Sequence, residues 1–183
     1  LITGCRGTAT ITMAAGSFAQ INFEFTGIYN SPDSTAMSGT FTVANQAAAI
    51  EVNDTNVTTA TFHGATSQRL ESFDLALNNE VVYKETASSK EVLITNRAPG
   101  GTAVVEEPVR ATTDYFSKAE TAATGNSSIV LGSSAGNIVT VNVPQTDITG
   151  VSRGDTNGVN SLNLPYLALP TTAGNNELSI VMT

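Results

Sequence analysis

Apolar and polar residues alternate through most of this chain, starting with two segments at 8–14 and 17–29. In TATITMA, Ala9, Ile11 and Met13 alternate with Thr8, Thr10 and Thr12. In SFAQINFEFTGIY, Ile21, Phe23 and Phe25 alternate with Gln20, Asn22, Glu24 and Thr26. Successive strand residues point to opposite faces, so each segment predicts a strand with one oily and one wet face. Ala15 and Gly16 between them fit a connecting turn. The wet face, Thr8, Thr10, Thr12, Gln20, Asn22 and Glu24, carries hydroxyls, amides and a single carboxylate. The oily face, Ile11, Met13, Ile21, Phe23 and Phe25, is expected to enter a core together with Phe73 and Leu75.

The same period predicts strands at 57–63, 67–77, 80–86, 90–95, 101–107, 127–132, 136–143, 145–152, 159–169 and 175–183. The breaks between them hold turn residues: Asn78-Asn79, Pro99-Gly100-Gly101, Ala135-Gly136-Asn137, Asn157-Gly158 and Gly174-Asn175-Asn176. Residues 112–123, TTDYFSKAETAA, leave this rhythm and predict one short helix. Thr113 is its expected N-cap, Asp114 stands in its first turn, and Gly125 lies past its end. Tyr115, Phe116 and Ala119 form its apolar stripe. Residues 30–47 hold Pro32 and small polar residues, and predict a long loop or contact arm. The fold class is therefore mainly β: a β-sheet body with one short helix packed on it, as a single domain over 1–183.

Composition narrows the function. Charged residues make up 13% of the chain and hydrophobic residues 40%, enough of the latter for a folded core. Sixteen acids against eight bases give a net charge of −8, which opposes binding nucleic acid through its phosphates. The bases, Arg6, Arg69, Lys84, Lys90, Arg97, Arg110, Lys118 and Arg153, form no stripe along the sequence. Cys5 is the one cysteine, so no internal disulfide framework exists. No run of about 18 apolar residues occurs, which argues against a membrane-spanning helix. The chain starts at Leu1 and enters a strand almost at once, as a piece of a longer polypeptide would.

Candidate chemistry is sparse. His63, the only histidine, has neither an HExxH nor a GxSxG motif around it, and is expected at a strand end with a hydrogen bond. Cys5, between Gly4 and Gly7, is expected to be a small buried apolar residue. Glu106 and Glu107 are adjacent on a strand and so point to opposite faces, unlike paired glycosidase acids. Asp155-Thr156-Asn157-Gly158 echoes half a calcium loop, yet its closing acid is missing and Asn-Gly is itself a hairpin signal. Asn56 and Asn126 sit in glycosylation-like triplets read as chance matches. These residues point to no enzyme, metal or cofactor.

Several stretches, taken in order, resemble a known family. G-x-R-G followed by an alternating strand ending in F-x-F-T-G-I-Y and a Pro-containing loop occurs as GCRGTATI, INFEFTGIY and NSPDS. ESFDLALNNEVVYKE, KEVLITNRAPGGTAVVEEP and LPYLALPTTAGNNELSIVMT follow. This series resembles the major tail tube protein of long-tailed, non-contractile bacteriophages. It is strong at 4–32, 67–110 and 158–183 and weak at 33–66. Members of that family carry a sizeable segment before the G-x-R-G strand, which this sequence lacks.

The resemblance implies an antiparallel β-sandwich or partial barrel with one short flanking helix, in a virion tail protein assembled in the host cytoplasm. It implies hexameric rings of the chain itself, stacked into a tube that conducts the genome out of the capsid. Implied partners are further copies, other tail proteins such as the terminator and tip, and duplex DNA that passes without tight binding; no membrane partner is implied. On this reading Thr8, Thr10, Thr12, Gln20, Asn22 and Glu24 are expected to face the lumen, where a basic wall would clamp DNA and a ring of Glu24 repels it. The terminal NNELSIVMT is expected to pair within the subunit's own sheet. The main rival is an extracellular adhesin or pilus-type binding module, also rich in Thr and Asn, but no signal peptide or donor strand is visible in these residues. A β-sandwich carbohydrate enzyme would show aromatic platforms, and here Trp is absent.

Overall fold

The computed structural model describes residues 2–31 and 48–183. The expected contact arm at 30–47 lies, from residue 32 on, outside the described residues. The first two strands, β1 (Ile2–Ala14) and β2 (Gln20–Tyr29), form an antiparallel hairpin. Next come β3 (Val57–Thr61), β4 (Leu70–Ala76), β5 (Asn79–Glu85), β6 (Lys90–Arg97) and β7 (Gly100–Glu106). The helix α1 (Tyr115–Glu120) precedes β8 (Thr124–Leu131), β9 (Val139–Ile148), β10 (Ser152–Thr156), β11 (Val159–Leu169) and β12 (Ser179–Met182).

One curled antiparallel sheet runs in the order β2-β1-β4-β7-β11-β9-β8-β3, with β10 added to β11 and β12 to β9. The pair β5–β6 forms a separate two-stranded arm. The result is a half-barrel flanked by one short helix. Register explains the core. Ile21, Ile11, Leu75, Gly101, Tyr166 and Ile148 are successive cross-strand partners from β2 to β9. Beside that row, Met13, Phe73, Ala103 and Leu164 are partners from β1 to β11. Ile11, Met13, Phe73 and Leu75 are buried in the core, while Ile21 is partly buried against it. Each such apolar side chain contributes about 1.5–3 kcal/mol on full burial.

Four aromatic rings fill the concave side. Tyr166 stacks on Phe73 with centroids 5.5 Å apart and meets Phe62 edge-on at 5.6 Å, and Phe62 meets Tyr115 of α1 at 6.0 Å. The helix exists to seat that last ring: Tyr115 is buried, and its hydroxyl donates to Gln68 Oε1 at 3.0 Å. The helix starts one residue later than expected. Asp114, not Thr113, is the cap, its carboxylate accepting from the Ser117 backbone N–H at 3.1 Å. Thr113 is instead buried.

The segments expected at 136–143 and 145–152 are largely one strand, β9. Pro144 stands where the partner on one flank changes, β12 pairing with 139–142 and β11 with 145–148. On the other flank it falls at the register shift against β8. A residue without an N–H fits a strand interior only at such a gap in the ladder.

Two expectations about burial are overturned. Phe23 and Phe25 point to the same face as Ile11 and Ile21 but are 64% and 66% exposed. The reason is reach: β4 pairs with β1 only at residues 10–14, so the hairpin beyond Thr10 extends past the sheet that would roof these rings. Cys5 is exposed rather than buried, because it sits in the β-bulge between Thr3 and Arg6 at the outer end of that ribbon.

Candidate assembly interface

The β1–β2 hairpin brings the six expected wall residues onto one face. Its register opposes Thr8 to Glu24, Thr10 to Asn22 and Thr12 to Gln20, giving three polar cross-strand pairs in a row. Gln20, Asn22 and Glu24 are exposed, and the three threonines are half-buried. Arg6, opposite Thr26, is the nearest base beyond this row. The other face of the same ribbon presents Phe23 and Phe25, stacked at 5.9 Å with rings 11° apart.

The β5–β6 arm packs against this hairpin and is rooted by Asn79. The Asn79 backbone N–H donates to Thr8 Oγ1 at 3.3 Å, and its side-chain amide donates to the Gly7 carbonyl at 2.9 Å. Val92 of the arm is buried, while Val82, Tyr83, Leu93 and Ile94 remain partly exposed. Near the tip, Lys90 bonds Glu85 at 3.0 Å and holds that carboxyl below the usual carboxylate range. Periodicity found both strands of the arm, but not that they leave the main sheet. The asparagine pair at 78–79 was the available signal, since Asn78 takes a left-handed φ of 48° that turns the chain out.

The sheet ends in open edges. Among the described residues, the ten-residue β2 pairs only with β1, so the backbone donors and acceptors that alternate away from β1 line a free edge. Among the described residues, β3 at the other end forms a ladder only with β8, with its Ala60 carbonyl also accepting from the Gln68 N–H at 3.2 Å, and β12 pairs only with β9. A weakly charged edge of this length is a template for another strand.

The remaining candidates are held in structural roles. His63 is buried at the end of β3 with Nε2 2.7 Å from the Ala123 carbonyl, while its backbone N–H donates to Ser127 Oγ at 3.0 Å. Lys118 covers it, donating to the His63 carbonyl at 3.0 Å with its ammonium 5.2 Å from the centre of the Tyr115 ring. Burial lowers the Lys118 pKa from its ordinary value. Glu106 and Glu107 diverge as expected, the first to Arg69 and the second to Arg153, both at 2.9 Å. The Asp155 carboxylate accepts from the Gly158 N–H at 3.0 Å inside the β10–β11 turn. Among the described residues no three His, Cys, Asp or Glu side chains cluster as metal ligands.

For joining to a neighbour, the described residues offer open edges, a polar hairpin face and an uncovered aromatic one. No curated protein matches this chain. The sequence pattern of the phage tail tube protein family matches residues 1–176, and the chain belongs to that family, a structural component of the virion tail.

Proposed function

We propose that copies of this chain join side by side into rings, and that the rings stack into the tube through which the phage genome leaves. A lone barrel of about eight strands is filled by its own side chains, so a bore wide enough for duplex DNA needs strands from several subunits. The half-barrel with free edges at β2 and β3 suits that need. Pairing of such edges between copies supplies main-chain hydrogen bonds, and a head-to-tail contact closes into a ring when its rotation permits.

The observation that carries the reading is the row Thr8–Glu24, Thr10–Asn22 and Thr12–Gln20. We assign this row to the lumen. Hydroxyls and amides keep a wall hydrated, and a repeated carboxylate repels phosphates over about 8 Å at physiological salt. The net charge of −8 works in the same direction. Electron cryomicroscopy of assembled tubes tests this assignment: the six side chains are expected to line the bore, and their appearance on the outer surface would overturn it.

A further inference from the structure

We infer that the aromatic face of the β1–β2 ribbon is a seat for a second copy of this chain, an inference that rests on the tube reading above. Ile2, Phe23, Phe25 and Tyr29 are 61%, 64%, 66% and 72% exposed. By strand alternation and register they share one face: Ile2 pairs with Tyr29, Gly7 with Phe25 and Ala9 with Phe23. No charged residue belongs to that face; Arg6 and Glu24 point the other way. The rings lie flat on small residues. A side chain at Gly7 would collide with the Phe25 ring, so the glycine lets that ring rest on the ribbon backbone. A flat, stacked, uncharged aromatic surface is the form taken by the centre of a protein interface.

Its size fits the same use. At about 150–250 Å² per aromatic side chain, the three rings leave on the order of 400 Å² uncovered. That is a patch of the size that marks binding sites on monomers, and about half of one partner's share of a standard interface.

The occupant follows from position. The patch lies on β2, whose outer edge has no partner among the described residues. A strand added to that edge sits about 4.8 Å away with its side chains in the same alternation. One incoming copy therefore satisfies the edge and sets its own side chains against the flank of Phe23 and Phe25.

The test uses the full chain carrying benzoylphenylalanine at position 23, mixed from isotopically labelled and unlabelled pools and irradiated after assembly. Mixed-isotope crosslinks between two copies are expected. In parallel, F23S/F25S is expected to keep the wild-type far-UV dichroism while needing at least tenfold more protein to assemble; should that variant not fold, the crosslink decides. Tubes in which position 23 crosslinks only within its own chain, or to nothing, overturn the seat and leave the tube reading standing. So does a folded F23S/F25S that assembles at the wild-type concentration. A wild-type chain that stays monomeric at every concentration, with no crosslink, overturns both.

Discussion

The Tyr166 hydroxyl of β11 donates to the Asp74 carbonyl of β4 at 2.9 Å, reaching across β7, which lies between them. The reach is possible because Tyr166 and Leu75 both pair with Gly101, the residue without a side chain. A Cβ at Gly101 would run into the same Asp74 carbonyl. Y166F keeps the ring stacked on Phe73 and orphans only one bond, so a loss of about 1 kcal/mol is expected. G101A forces the strands apart and is expected to lose about 1–3 kcal/mol. Urea unfolding of the two variants checks the order; G101A equal to wild type would show that β4 and β7 have room the register denies.

Alkaline pH is expected to unfold the protein through the same ring and its neighbour. Tyr115 and Tyr166 are buried, and burial pushes both phenols well above their ordinary value, with the Asp74 carboxylate adding to the effect on Tyr166. In the unfolded chain each ionises near pH 10, about its ordinary value. The folded state holds the proton more tightly, so the stability is fully present below about pH 10 and is lost above it. Each tyrosine takes away about 1.4 kcal/mol per further pH unit. Denaturant melts followed from about pH 9 to about pH 12, with tyrosinate absorbance as a second reading, measure the slope. Y166F should flatten it by about one tyrosine's share; an unchanged slope would remove Tyr166 from the account.

Period-2 alternation made most of the strands and of the core legible, because which face a side chain takes follows from its position alone, and the break in it marked the single helix. Apart from Ser152, β10 fell outside every expected segment. Alternation gave no information on how far a neighbouring strand extends. Phe23 and Phe25 therefore read as core although β4 stops short of them. Cys5 read as buried for a related reason, since a bulge between Thr3 and Arg6 leaves no trace in alternation. Residues 136–143 and 145–152 read as two strands, and only the exchange of β12 for β11 along β9 shows how one strand passes through Pro144. Thr113 and Asp114 are both good caps, and local sequence cannot choose between neighbours of equal chemistry. Thr8, Thr10, Thr12, Gln20, Asn22 and Glu24 fall on one face by spacing, and the register places them opposite one another.

The C-terminal strand is expected to be required for folding. β12 pairs with β9 from Ser179–Asn142 to Met182–Val139, and Thr183 closes the ladder through two bonds with Ile138. Glu177 ties the approach to β6 through Arg97 at 2.7 Å, and Leu178 packs on the core. Deleting 176–183 strips one flank from the first half of β9, whose Val141 is a core residue. Loss of a cooperative thermal transition is expected. A soluble deletion protein that melts like the whole chain would make β12 an accessory strand.

The lumen assignment carries a charge prediction that structure determination alone does not test. Glu24 is exposed at the middle of the ribbon, pairs with Thr8 and makes no ion pair among the described residues. E24K changes the wall by two charge units per copy without touching the core, so rings and tubes of wild-type width are expected. Genome release should slow, because lysines on a wall bind phosphates where carboxylates repel them. Added salt should restore the rate, since the screening length falls from about 8 Å at physiological strength to about 3 Å at 1 M. E24Q, which removes repulsion without adding attraction, should fall between the two. The measurement is nuclease-accessible DNA after triggered ejection from phage carrying each variant. Equal release by wild type and E24K at low salt would mean that Glu24 does not face the passing duplex, and the hairpin would have to be turned outward.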